Sequence, residues 1–136
     1  MAFLYDRMRR YVKGARGERE LLNDLYSKGF SVIRSAGSGV NSISPDIIAV
    51  KDGRGLAFEC KAWDRGSVAI EKEKYDSLVE WQRNSKMETY LAWRMSNMGW
   101  YFIRLEEMRS NEKSWSVTRS DAVAISRRIE SLIGMQ

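Results

Sequence analysis

Asp46, Glu59 and Lys61 are the residues of this sequence whose types and spacing can do chemistry. They share one stretch, Ser44 to Trp63: Ser-Pro-Asp-Ile-Ile-Ala-Val, a polar turn Lys51-Asp52-Gly53-Arg54-Gly55, then Leu-Ala-Phe-Glu-Cys-Lys-Ala-Trp. Two apolar runs around a glycine-bearing turn predict a β-hairpin. Side chains alternate along a strand, so Glu59 and Lys61 point one way and Phe58, Cys60 and Ala62 the other. The strand is thus expected to carry a carboxylate and an ammonium on one face and core on the opposite one. Asp46 opens the partner strand directly after Pro45, the single proline, which pushes Ser44 towards extended backbone and makes a rigid lead-in. The three side chains are expected to converge at the rim of one small sheet.

Two carboxylates supply hard oxygen ligands for Mg²⁺, an ion that keeps several waters and takes only one or two protein carboxylates besides phosphate oxygens. Such an ion acidifies water and polarises a phosphoryl oxygen. A neighbouring lysine orients or deprotonates the attacking water, or neutralises charge as it develops. Together these groups make a recipe for phosphodiester hydrolysis. The same residues also suit a solvated hairpin, so the pattern needs support from elsewhere in the chain.

Composition narrows the field. The length of 136 residues predicts one domain over 1–136, with a basic N-terminal segment over about 1–16. With 43% hydrophobic and 30% charged residues the composition is that of a soluble globular protein, and no apolar run is long enough to cross a bilayer, so no membrane partner is expected. Phe3-Leu4-Tyr5 gives way at once to Asp6-Arg7, which is not a secretory leader. One cysteine excludes a disulfide framework and predicts a reducing, cytoplasmic home. The absence of histidine removes Ser-His-Asp and Cys-His catalysis and histidine-ligated zinc or iron, leaving carboxylates, Lys, Ser and a hard metal. A net charge of +5 predicts an anionic partner, nucleic acid being the usual one. Arg10, Lys13 and Arg16 belong to a crowded basic segment placed to contact backbone phosphates.

The elements upstream of the hairpin follow from periodicity. Leu21, Leu22, Leu25 and Tyr26 recur at helical spacing within a helix over about 13–28, closed by Gly29. On pattern alone Glu18 is an ordinary charge at the edge of that helix. A short strand over 30–34 follows. The hydroxyl-rich loop over 35–44 then feeds into Pro45-Asp46, its glycines permitting close backbone approach and its serines able to bond phosphate.

Glu18-Arg19 on a first helix, Lys28-Gly-Phe-Ser-Val-Ile-Arg-Ser-Ala-Gly-Ser-Gly39, Pro45-Asp46 and Glu59-x-Lys61 together resemble the archaeal Holliday-junction resolvases of the Hjc type, within the PD-(D/E)xK nuclease superfamily. The likeness is dense from about Lys13 to Lys61 and architectural beyond. It implies an α/β fold, a mixed central β-sheet flanked by helices with a restriction-endonuclease-like core. It implies Glu18 as a third acidic residue beside Asp46 and Glu59, with the Cys60 carbonyl completing the metal ligands and Lys61 as general base or charge stabiliser. Arg19 and Arg34 become phosphate binders, with Ser35 beside them, and Ser38, or Ser35 in its place, becomes the loop serine that supports cleavage. The implied cofactor is Mg²⁺, with Mn²⁺ able to substitute.

After Trp63 the pattern predicts a helix over 70–85 with Tyr75, Leu78, Val79 and Gln82 on one side, its first turn Glu71-Lys72-Glu73-Lys74 a solvated face. The resemblance places this helix at a subunit interface, with Trp81 and Leu78 the candidate contacts; Trp81 serves equally well as a cap on its own core. Strands over 87–95 and 100–105 come next, then a short one over 115–118. A last helix is expected to be capped by Ser120-Asp121 and to align Ala122, Ile125, Ile129 and Ile133 on one face.

The expected function is that of a homodimeric, Mg²⁺-dependent endonuclease that resolves four-way DNA junctions by paired cuts in recombination and repair. A sequence- or mismatch-specific nuclease of the same fold is the rival among enzymes. A junction-binding protein without catalysis is the rival outside them, disfavoured because unneutralised carboxylates repel DNA.

Overall fold

The computed structural model describes residues 16–35 and 43–134. Helix α1 covers 16–27. It ends because Gly29 takes a positive φ of 93°, which allows Phe30 N–H to reach back to the Leu25 carbonyl at 3.2 Å and Gly29 N–H to that of Tyr26 at 3.0 Å. Phe30 and Leu25 then bury together. Strand β1 (Ser31–Arg34) leads to the hairpin of β2 (Ile47–Lys51) and β3 (Arg54–Ala62). Asp52 and Gly53 both have positive φ, 51° and 79°, the two-residue geometry that matches strand twist.

Strand β4 (Ser67–Glu71) and helix α2 (Lys72–Ser85) make the crossover to β5 (Glu88–Met95), which lies parallel to β3 and antiparallel to β6 (Gly99–Arg104). The main sheet therefore runs β1-β2-β3-β5-β6. A second sheet, β4-β8-β7, uses β7 (Arg109–Ser110) and β8 (Ser114–Thr118). Helices α3 (Arg119–Ile125) and α4 (Ile129–Ile133) follow. No described helix is long and apolar enough to span a membrane.

The alternation of β5 sorts the core into two layers. Tyr90 and Ala92 face one way, with Ile47, Leu56, Phe58 and Phe102, and are covered by Leu21 and Leu25 of α1 and Leu132 of α4. Leu91, Trp93 and Met95 face the other way, under Tyr75 and Leu78 of α2 and Ala122 of α3. This corrects the expectation that only one face of β3 is core. The Glu59 face is roofed as well, because a parallel β3–β5 pair needs a crossover helix on it.

Other departures have local causes. Ser67–Glu71 is a strand and not the helix start, its burial alternating with period two, Val68 and Ile70 inward. Tyr26 is 70% exposed, one position outside the α1 stripe. The last helix is two helices. Thr118, not Ser120 or Asp121, caps α3 by accepting from Asp121 N–H at 3.0 Å, and the chain reverses at Ser126 with φ 54°. The predicted apolar stripe is thereby divided, Ala122 and Ile125 packing on one layer and Ile129 and Ile133 on the other. Between them Arg127 binds the β6 edge: Phe102 N–H donates to its carbonyl at 2.9 Å and its guanidinium to the Phe102 carbonyl at 3.1 Å.

Candidate active site

Strand register decides where the acidic residues meet. Ile47 pairs with Phe58, and Asp46 N–H donates to the Phe58 carbonyl at 2.9 Å, so Asp46 stands next to Glu59 on the adjoining strand. Asp46 Oδ2 accepts from Cys60 N–H at 2.8 Å, a bond that holds the carboxylate against the end of β3. Glu59 is 6% exposed and lies under α2. Its Oε1 is buried without a hydrogen-bond donor, 3.6 Å from Lys74 Nζ. Burial is the main reason its pKa is pushed up to about 8; Asp46 raises it further by repulsion and by a hydrogen bond to the protonated form, while Lys74 and Lys61 pull it down.

Glu18 reaches this end of the sheet from the opposite layer. Gly17 marks the contact: a Cβ there would lie 3.4 Å from that of Ala62 and 3.6 Å from the Trp100 ring, ordinary packing distances, so the start of α1 lies against the end of β3. Glu18 Oε2 accepts from Arg34 Nε at 2.8 Å. Burial raises its pKa foremost and Asp46 adds to this, against the lowering effects of Arg34 and Lys61. The thiol of Cys60 is also pushed up, by burial first and then by Asp46, Glu18 and Glu59. Glu18, Asp46, Glu59 and Lys61 thus act on one another through space across two elements of one layer and a helix of the other.

The arrangement is looser than a closed metal cage. Among the described residues no three acidic or thiol groups gather closely enough to bind an ion by themselves. The residues present nevertheless fit a hard cation that retains its waters: two carboxylates stand side by side, and one has a buried oxygen without a donor among the described residues.

The remaining predicted residues fall variously. Ser38, Arg10 and Lys13 lie outside the described residues, as does nearly all of the basic segment. Arg16 and Arg19 are exposed on α1, and Arg34 pairs with Glu18 at the same rim. Ser35 sits at the base of the loop: its hydroxyl shares a hydrogen bond with that of Ser44 at 3.0 Å and its N–H donates to the Asp46 carbonyl at 2.8 Å. Leu78 is wholly buried against the sheet, so it presents nothing to a partner; helical spacing put it on the inward face of its own subunit. Trp81 is half-buried beside a groove of about 430 Å³ lined by Ile43, Ser77, Glu80 and Asn84. Lys74 is the residue that sequence reasoning missed. Assigned to a solvated turn, it instead donates to the Ser44 carbonyl at 2.7 Å and faces Glu59. Its position one turn before Leu78, on the inward side, was the available signal.

Sheet order, crossover and carboxylate placement define an α/β domain of the restriction-endonuclease-like class. The family model of the archaeal Holliday junction resolvase (Hjc) matches residues 9–136. The crossover junction endodeoxyribonuclease Hjc of Methanocaldococcus jannaschii is 37% identical over 118 residues, 85% of this chain and 84% of that one. The protein of the same name from Archaeoglobus fulgidus is 33% identical over 109 residues, 79% and 80% of the two chains. A solved structure of A. fulgidus Hjc, described as a Holliday junction resolvase, superposes with a TM-score of 0.80 at 28% identity, covering 91% of this chain and 98% of that one. The chain belongs to the archaeal Holliday junction resolvase (Hjc) family.

Proposed function

We propose that this protein is a structure-specific endodeoxyribonuclease that resolves four-way DNA junctions by hydrolysing phosphodiesters. One observation carries the chemistry: Asp46 and Glu59 stand together on neighbouring strands, with a buried Glu59 oxygen left without a donor and Lys61 in electrostatic reach. Asp46, Glu59 and the Cys60 carbonyl would hold Mg²⁺, or Mn²⁺ in its place, with Glu18, paired to Arg34, as the third acidic residue at the site. When bound, the ion supplies Lewis acidity towards the phosphoryl oxygen and a lowered pKa for water. Lys61 orients the attacking water and receives its proton or offsets charge developing on phosphorus. Asp46, fixed by Cys60 N–H, and Glu59, fixed in its buried position by Lys74, do not reorganise during the reaction. Arg19 and Arg34 hold phosphates flanking the scissile one, with Arg10, Lys13 and Arg16 extending the contact. Ser38, or Ser35 in its place, supplies the serine that supports cleavage.

Two symmetric cuts call for two sites, so the acting species is a two-fold homodimer. Exposed apolar side chains support this: Ile33 on the edge strand β1 is 67% exposed and Ile43, in the segment before Pro45, 76%, beside Trp81 of α2.

The test is to incubate the protein with a labelled four-way junction and, separately, with its linear arms, with and without Mg²⁺, and to map the nicks. Paired nicks near the branch point, dependent on the metal, are expected. Fixed-sequence cutting of the linear arms with no preference for the junction, or junction binding with no cutting in either metal, would overturn the proposal.

A further inference from the structure

We infer that the β5–β6 turn carries a second phosphate-binding site, built by Arg65, Arg119 and Arg128, that grips a duplex arm away from the scissile bond. The inference rests on the nucleic-acid reading of the active site above. Arg119 donates to Met98 Sδ at 2.9 Å and Arg128 to the Met98 carbonyl at 2.7 Å, so two guanidinium groups converge on one residue of the turn. Arg128 also lies over the Tyr101 ring at 4.3 Å, and Arg65 over the Trp63 ring at 5.1 Å. Arg119 N–H donates to the Gly66 carbonyl at 2.8 Å, which brings the Arg65 segment alongside.

Every one of these positioning contacts is neutral: a carbonyl, a thioether, two rings. Among the described residues none of the three arginines pairs with a carboxylate. The acids of the neighbourhood are engaged elsewhere, Asp64 by Ser96 N–H and hydroxyl, Asp121 by Arg109, Glu20 by Arg94 and Trp100. Like charges held together without a counter-ion repel one another. A protein that fixes guanidinium planes with neutral groups leaves their full charge for an external anion, and the planar fork suits phosphate oxygens.

Placement says which anion. Lys61 pairs with Trp93, β5 continues to Met95, and Met95 pairs with Gly99. Met98 packs in the same layer as Trp93 and Tyr101, the layer that Glu59 faces. Strand geometry then puts the arginine cluster roughly 10–15 Å from Lys61, on the same face and the same end of the sheet. At about 3.4 Å of axis per nucleotide that is three or four steps along a backbone, the distance at which a duplex leaving the branch point still lies against the protein.

The measurement is the salt dependence of four-way junction binding without divalent metal, for wild type, R119Q/R128Q, R119K/R128K, R65Q and R109Q. Each lost phosphate contact makes the slope of log affinity against log salt shallower by ~0.9. R119Q/R128Q should therefore lose nearly two from the slope and bind between about ten- and a hundredfold more weakly at 0.1 M salt. R65Q, on a more exposed side chain, should lose about one, and R119K/R128K should keep the wild-type slope. R109Q removes the same single charge as R65Q, from a salt-bridged arginine, and should behave as wild type. An unchanged slope in R119Q/R128Q and R65Q overturns the inference, as does an equal loss in R109Q. Should the glutamine pair fail to fold by its melting curve, R65Q alone decides. A wild-type protein that does not prefer the junction to its linear arms refutes the proposed function instead, so the two failures are distinct.

Discussion

Replacing Glu59 with glutamine should erase a pH dependence of stability that the metal-free protein otherwise carries. Unfolded, the Glu59 carboxyl titrates near the ordinary 4.5; folded, burial pushes it up to about 8. Between these values the folded state binds a proton that the unfolded state has already lost. Stability therefore falls as pH rises from about 5, and the whole penalty is present above 8. Each pH unit within the window is worth about 1.4 kcal/mol, so the ceiling is nearly 5 kcal/mol; with water entering the opened site we expect between about 2 and 5. The chain has no histidine to titrate in this window, and Glu18, whose carboxyl burial also raises, is common to wild type and E59Q, so the comparison isolates Glu59. Glu88 and Glu107, whose carboxyls are held low by Arg54 and Arg127, titrate below it. The assay is urea unfolding in EDTA from pH 5 to 8.5, comparing wild type with E59Q. The difference between the two curves should grow with pH by the stated amount, and saturating Mn²⁺ should recover it in wild type but not in E59Q. Parallel curves across the window would refute the reasoning, because they would mean that Glu59 is as well solvated folded as unfolded.

Further outcomes follow from the same geometry. Asp46→Ala, Glu59→Ala and Lys61→Ala should each slow junction cutting by at least ~10³-fold while junction affinity in metal-free buffer stays within a few-fold, as read by gel cleavage and anisotropy. Lys74→Met, which keeps the aliphatic stem but releases both Ser44 and Glu59, should weaken Mn²⁺ binding about tenfold by titration calorimetry, whereas Lys74→Arg should recover most of it. Leu25→Ala, at a fully buried position of α1, should cost about 2–5 kcal/mol in denaturant unfolding, and Tyr26→Ala next to it within ~0.5, since that ring is 70% exposed.

Much of this architecture was legible because it is governed by neighbours in sequence. The β2–β3 hairpin follows from two apolar runs and an Asp-Gly turn. The end of α1 follows from Gly29, and the alternation of Tyr90 through Trp93 assigns side chains to two layers before any partner is known. The same local logic found Asp46, Glu59 and Lys61 as one group. It failed where a segment's surroundings overrode its pattern. Val68 and Ile70 fit either a strand or a helix start, and pairing with β8 chose the strand. Ala122 through Ile133 read as one stripe, yet the chain crosses the β6 edge between Ile125 and Ile129, so the stripe serves two different cores.

Residue types and their spacing along single elements, then, suggested the chemistry, hard oxygen donors and an amine on a strand in a chain without histidine, and the likeness to a known family selected it over a solvated hairpin. Which distant groups join them was decided only by the folded chain. The packing of α1 on the end of β3 brings Glu18 round from the other layer, and a crossover helix lays Lys74 over Glu59. The path of the chain through α3 and on to α4 brings Arg119 and Arg128 together on Met98, neither paired with a carboxylate among the described residues. Contacts between elements depend on layer and register, and neither is written in the spacing of residues within one element.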